Sequence, residues 1–257
     1  MTIENERAHL LKALRKNVRY DGRKTDEYRP IEILYNISKN AEGSASIKLG
    51  DTQVLAGVKF EIDKPFSDTP DEGILMVNVE LSPMASPEFE SGPPDNWSIE
   101  LARVVDRGIR ESKVVDFKDL CITPGEKVWM VNVDIVALND SGNLLDACSL
   151  AAIAAIKNAL FPEVVDGNID YHKKSKKGLK LKDIPLSVTV HKVGEFYIVD
   201  PLSEEEKLTN ARLTVATKKD GTICALQKGE CATLNEKDIE AMVDLATSKA
   251  EELRKLL

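Results

Sequence analysis

The chain has 257 residues, enough for one large domain or two fused lobes and too many for a small stapled module. Its 43 acidic and 35 basic residues leave a net charge of −8, and 30% charged beside 42% hydrophobic residues describes a folded globular protein rather than a disordered one. The average charge excludes a surface that is cationic all over, although a local basic stripe can still hold phosphates on an acidic protein.

Residues 3 to 16 set Ile3, Leu10, Leu11 and Leu14 among charged residues, the pattern of an amphipathic opening helix. From Ser44 to Ile62 the apolar side alternates through Ala45, Ile47 and Leu49, breaks at Gly50-Asp51, and resumes at Val54, Ala56, Val58, Phe60 and Ile62. The two-residue break predicts an antiparallel hairpin closed by a primed turn, with glycine at positive φ. Ile74 to Leu81 predicts a further strand, with Leu75, Val77, Val79 and Leu81 on one face. The Pro- and Gly-rich stretch from Ser86 to Asn96 reads as loop. A helix from Ser98 to about Ser112 follows, with Ile99, Ala102, Val105 and Ile109 as its expected buried stripe.

Trp129, Val131, Val133, Ile135 and Ala137 alternate as the next strand, and Asn139-Asp140-Ser141-Gly142 turns the chain into an alanine-rich helix from about Leu145 to Leu160. That helix is apolar nearly all round, which predicts a central position. Six lysines, Lys173, Lys174, Lys176, Lys177, Lys180 and Lys182, then crowd a segment without apolar periodicity, expected as an exposed loop between two lobes. Residues 184–190, 196–199, 213–217 and 222–226 predict four short strands. Asn235 caps a closing helix marked by Ile239, Met242, Val243, Ala246, Ala250 and Leu253. Strands, helix, strands, helix describe an α+β fold.

The four cysteines, Cys121, Cys148, Cys224 and Cys231, have no C-x-x-C spacing and only three histidines to join them, so reduced, mostly buried thiols are expected rather than a zinc site. Charged residues throughout Met1 to Asn17 break any secretory signal core, and the longest apolar stretch, Ser149 to Ile156, is too short to span a bilayer. A cytoplasmic, membrane-free protein is the expectation.

Three features could carry chemistry. Arg103, Arg107 and Arg110 fall at i, i+4 and i+7, within roughly 60° of one helical face, a phosphate-sized stripe. Spacing alone slightly favours surface ion pairs with Glu100, Asp106 and Glu111, whereas the repeated choice of the planar guanidinium favours function. The run Asp200-Pro201-Leu202-Ser203-Glu204-Glu205-Glu206 could hold a divalent metal, but with no histidine nearby it reads as a solvated loop. The turn from Asn139 to Asn143 could cradle an anion on backbone amides, although such turns more often serve only as caps.

An ordered set of motifs adds to this reading. Arg19-Tyr20-Asp21-Gly22-Arg23, Gly43-Ser44-Ala45, Gly50-Asp51-Thr52-Gln53-Val54, Glu100-Leu101-Ala102-Arg103-Val104-Val105-Asp106-Arg107, Val131-Asn132-Val133-Asp134-Ile135, Ala147 to Ala155 and Gln227-Lys228-Gly229 resemble the RNase PH superfamily of phosphorolytic 3′ exoribonucleases. The resemblance spans nearly the whole chain. It implies a single RNase PH-like domain over residues 1–257, with mixed sheets and packed helices in two lobes, about 20–160 and 184–257.

Within that family the chain is most similar to the non-catalytic subunits of archaeal exosome rings. Active members carry an Arg-Arg pair where this chain has Asn96-Trp97, and Asp-Gly-Gly followed by Ser or Thr and Arg where it has Asp140-Ser141-Gly142-Asn143-Leu144. They also carry two aspartates, six residues apart, at the positions of Glu206 and Arg212. A carboxylate replaced by a cation reverses the field where Mg²⁺ would sit.

The resemblance therefore implies no catalytic residue, no metal and no cofactor. It implies a catalytic RNase PH-like partner alternating with this chain in a hexamer of three heterodimers, cap proteins, and single-stranded RNA held by Arg103, Arg107 and, more weakly, Arg110. A divergent active nuclease using Asp200, Glu205 and Glu206 is the alternative. The lysine segment reads as solvated, with peripheral RNA steering as its second reading.

Overall fold

The computed structural model describes residues 3–165 and 168–257. After the opening helix α1 (Ile3–Leu14), strands β1 (Ile31–Tyr35), β2 (Gly43–Leu49), β3 (Thr52–Asp63) and β4 (Ile74–Leu81) lead to helix α2 (Asn96–Glu111). The short β5 (Cys121–Thr123) and long β6 (Lys127–Asn139) precede helix α3 (Leu144–Lys157). These strands form one mixed sheet in the order β1-β2-β3-β6-β4, with β5 also paired to β6 and β4 running parallel to β6.

Strands β7 (Leu160–Val165) and β8 (Asn168–Gly178) make a separate two-stranded ladder. A second, antiparallel sheet follows, β10-β9-β11-β12, built from β9 (Leu186–Val193), β10 (Phe196–Val199), β11 (Ala211–Thr217) and β12 (Ile223–Gly229). One turn of helix, α4 (Ser203–Glu206), interrupts it, and α5 (Glu236–Arg254) closes the chain.

The hairpin forms in the expected register, Leu49 opposite Thr52, with Gly50 at φ +58°. Arg29 lies so close that a Cβ on Gly50 would meet its Cδ at 2.4 Å, so glycine is needed there for space as well as for φ. Helix α3 is buried from Leu144 to Ile156. It packs on β2 and β3 of the first sheet and on β9 of the second, which makes it the core's spine. Nearly every residue of β9 and β11 is buried, since α2, α3 and α5 all pack against that sheet.

Several expectations are corrected. Helix α2 starts two residues earlier, capped by the Asp95 carboxylate on the Ser98 amide, and buries Ser98, Leu101, Val104, Val105, Gly108 and Ile109 while Ile99 stays exposed. Two apolar registers compete along this helix. Close approach to β9 selects the one with small residues, for a Cβ on Gly108 would sit 3.1 Å from Ser187 Oγ. Ile239 likewise lies on the exposed side of α5.

The lysine segment is mostly strand, not loop, because β8 pairs with β7. All four thiols are free, but only Cys148 is buried, and Cys231 is exposed. β1 pairs with β2 although the sequence carries no alternation strong enough to announce it. No helix among the described residues is long and apolar enough to cross a membrane.

Candidate functional site

The buried side of α2 leaves Arg103, Arg107 and Arg110 on its exposed side. They do not share one environment. The Asp106 carboxylate accepts from Arg110 at 2.7 and 3.0 Å, Leu75 O accepts at 3.0 Å, and the guanidinium lies 5.8 Å from the Phe117 ring centre. Arg110 is thus tied to its own chain. Glu100, another of the expected partners, is taken by Arg212 at 2.7 Å. Among the described residues Arg103 and Arg107 have no hydrogen bond or ion pair, so two guanidiniums one helical turn apart face solvent uncommitted.

Beside the N-terminal end of α2 opens a cleft of about 450 Å³, lined by the 86–89 loop, Trp97, Asp140, Ser203, Glu206, Lys207, Arg212 and Glu230. Trp97, Asp140 and the pair Glu206 and Arg212 come from three distant stretches of the chain; the resemblance marks Trp97, Glu206 and Arg212 as departures, and Asp140 opens the 140–144 turn that also departs. The fold gathers them in one place.

Their chemistry is mutual. Arg212, buried on β11, lies 5.2 Å from the Trp97 ring centre, pairs with Glu100, and has Glu230 at 3.7 Å. Burial, with nearby Asp140 adding to it, pushes the Glu206 carboxyl up to about 7, and burial also raises Asp140. Lys207 is held by Glu88.

Such a cleft suits neither attacking phosphate nor divalent metal. Carboxylates outnumber cations around it, and the arginine that lines it is already engaged. The residues present do not fit Mg²⁺: Asp140 and Glu206 already accept the backbone amides of Gly142 and Asn143, and the Arg212 guanidinium acts on Glu206 where a cation would have to sit. The remaining candidates are consumed elsewhere, as the next elements show.

The acidic run after β10 is not a solvated loop. Asp200 and Glu205 are completely buried. Arg19 donates to Glu205 Oε1 at 3.1 Å and to the carbonyls of Val199 and Asp200 at 2.8 and 2.7 Å. Asp200, held at φ +47°, accepts from Arg23 Nη1 at 2.8 Å, from the Arg29 amide, Nε and Nη2 at 2.7, 2.9 and 2.6 Å, and from Asn143 Nδ2 at 3.1 Å.

Arg29 also donates to the carbonyls of Ser141 and Gly142. Arg19 and Arg23, from the stretch before β1, thus hold the acidic run of the second sheet, and Arg29 from the same stretch joins that run to the 141–142 turn of the first. No sequence spacing connects residues 19, 23 and 29 with 200 and 205, so only the fold reveals the pairing.

The anion cradle read at Asn139 to Asn143 is already filled from within. The Gly142 amide donates to Asp140 Oδ1 at 2.9 Å, the Ser141 amide to Thr52 Oγ1 at 3.1 Å, and the Asn143 amide to Glu206 Oε2 at 3.4 Å. Gly142, at φ +93°, presses on the 201–203 backbone, where a Cβ would meet Pro201 O at 2.4 Å.

Behind the turn, Asp146 accepts from Tyr28 Oη at 2.6 Å, from Asn143 Nδ2 at 3.1 Å and from the Thr189 amide at 2.8 Å. Burial nevertheless pushes its carboxyl up to about 7. His191, fully buried, is lowered to about 3 by that burial, with Arg212 and Arg19 adding to the effect, so it stays neutral.

Comparison with known proteins places this geometry. The family pattern described as "3′ exoribonuclease family, domain 1" (RNase PH) matches residues 27–162, and "domain 2" of the same family matches residues 183–249. The chain is similar to the "Exosome complex component Rrp42" of Archaeoglobus fulgidus, 51% identical over 253 residues that cover 98% of this chain and 95% of that protein. It is also similar to the protein of that name from Methanopyrus kandleri, 46% identical over 252 residues, 97% of this chain and 94% of the relative. Among solved structures, a chain of the "archaeoglobus fulgidus exosome with RNA bound to the active site" superposes with a TM-score of 0.91 at 50% identity, covering 98% of each chain.

Proposed function

Because this chain belongs to the 3′ exoribonuclease family, we propose that it works as the non-catalytic, RNA-contacting subunit of an archaeal exosome core. The observation that carries the reading is the contrast between neighbouring surfaces. Where an active relative would bind phosphate and metal, this chain stacks Arg212 on Trp97 and pairs it with Glu100. One turn away it leaves Arg103 and Arg107 free. Phosphorolysis needs attacking phosphate, charge neutralisation and an acid together, because positioning and electrostatics supply most of the barrier reduction in phosphoryl transfer. An active nuclease built on Asp200, Glu205 and Glu206 is disfavoured, since the first two carboxylates are enclosed by arginine.

In this reading the chain alternates with a catalytic RNase PH-like partner in a cytoplasmic hexamer of three heterodimers, capped by RNA-binding subunits. Its two lobes, about 20–160 and 184–257, act as one unit, supported by a hydrophobic core that runs from the first sheet through α3 into the second. Arg103 and Arg107 grip passing RNA by its phosphates, with little sequence preference and marked salt sensitivity. Arg110, held by Asp106, contributes less.

The test is phosphorolysis in inorganic phosphate and Mg²⁺. The isolated chain is expected to release no nucleoside diphosphates from RNA, and addition of the catalytic partner is expected to start release. Replacing Arg103 and Arg107 with Glu should weaken RNA capture by the ring while leaving assembly intact. Nuclease-free phosphorolysis by the chain alone would overturn the proposal.

A further inference from the structure

The strongest concentration of positive charge on the molecule lies outside the α2 stripe. Residues 168–182 hold six lysines against one acid, Asp170, in a chain of net charge −8. In the β7/β8 hairpin the span 160–163 pairs with 170–178, so nine residues of β8 face four of β7 and the register slips twice. The extra residues bulge away from the ladder, and Lys173, Lys174, Lys176 and Lys177 are all exposed.

Their neutralisation is partial. Lys173 and Lys180 stand 3.8 Å from Asp170 and Asp119, with 66% and 78% of each lysine side chain exposed. Lys177 rests 5.5 Å from the Phe161 ring centre, and Lys176 has no partner among the described residues. The same strand carries an aromatic ring: Tyr171 is 45% exposed, with Lys59 Nζ 4.6 Å from its ring centre. The segment then returns to the C-terminal end of α2, where Leu181 bridges Val115 and Lys182 pairs with Asp116 at 2.6 Å.

We propose that this hairpin is a second contact site for single-stranded RNA, with Lys173, Lys176 and Lys177 neutralising phosphates and Tyr171 stacking on a base. Exposed lysines on the same strand as an exposed aromatic ring are what sequence-tolerant single-strand binding requires. An acidic protein segment would use the lysines and leave the ring idle. The site rests on the reading of the chain as an RNA-contacting subunit and extends it beyond α2.

The experiment measures binding of a fluorescent oligouridylate by the full chain across salt concentration. The triple variant Lys173→Ala, Lys176→Ala, Lys177→Ala is expected to make the slope of log K against log salt shallower by about 2, from about 0.7 per neutralised phosphate on a single strand. Tyr171→Ala is expected to weaken binding about tenfold with the slope unchanged, the loss of one stacked base. All four side chains are exposed, so these variants fold.

Wild-type affinity and slope in both variants overturn the site, and so does a wild-type chain without salt-sensitive RNA binding. Displacement of the RNA by oligoglutamate as readily as by unlabelled oligouridylate also overturns it, assigning the hairpin to an acidic protein. The reading of the whole chain is judged separately by phosphorolysis of the assembled ring. Its failure there, with hairpin variants that still lose RNA, would leave the site standing.

Discussion

Asp200→Asn is the most informative single change, because it removes one charge and leaves shape and backbone alone. Asn tolerates the left-handed region as well as Asp does, so the φ of +47° adds no strain and the loss reports the carboxylate itself. In the native chain that carboxylate is fully buried and accepts five hydrogen bonds, four from Arg23 and Arg29 and one from Asn143. On the side of Arg23 and Arg29 the amide replaces an acceptor with a donor aimed at groups that can only donate. It also leaves Arg29, 7% exposed, without its counter-charge.

Breaking a buried pair from one side costs about 3–5 kcal/mol, and for a chain of this size each kcal/mol moves Tm by about 2–4 °C, so a fall of roughly 6–20 °C is expected. Thermal unfolding followed by circular dichroism measures it, with Asp116→Asn as the comparison. That change removes an ion pair to Lys182 whose side chains are 61% and 35% exposed, and it should leave Tm close to the wild-type value. If Asp200→Asn melts together with Asp116→Asn, the buried cluster does not tie the two sheets as argued.

Two further outcomes follow from the same region. The Asp146 carboxyl is raised from its ordinary value to about 7 in the folded chain, so the unfolded chain ionises first as pH rises. Asp146 therefore subtracts stability progressively between about pH 4 and 7, by up to about 4 kcal/mol at 1.36 kcal/mol per pH unit. Urea midpoints for wild type and Asp146→Asn should diverge in the variant's favour over that window, and a constant difference from pH 4 to 8 would refute the assignment. Gly142→Ala should fail to accumulate as folded protein or lose more than about 3 kcal/mol, because a Cβ would meet backbone at 2.4 Å at a positive φ. A wild-type melting curve would contradict it.

Period and punctuation made much of the fold legible in the chain. The Gly50-Asp51 hairpin, the uniformly apolar α3, the short strands of the second sheet and the Asn235 cap are all local signals, and local signals survive without tertiary context. The ordered motifs went further, because they carried the family and marked Asn96-Trp97, Asp140 to Leu144, Glu206 and Arg212 as departures. What those positions do became visible only when folding brought Trp97, Asp140, Glu206 and Arg212 into one cleft.

The same limit explains the errors. Burial of Asp200 and Glu205 depends on arginines some 170 or more positions away, and an acidic run looks identical in sequence whether water or guanidinium surrounds it. The two apolar registers of α2 are equivalent until a neighbouring strand presses on Gly108. A lysine-rich segment becomes a strand only because β7 offers it a ladder. The arginine stripe shows the division most directly. Helical spacing alone placed Arg103, Arg107 and Arg110 on one face, but which of them is free was decided by competition for Glu100 and Asp106. Arg212 and Arg110 occupy those acids and leave Arg103 and Arg107 open to a ligand.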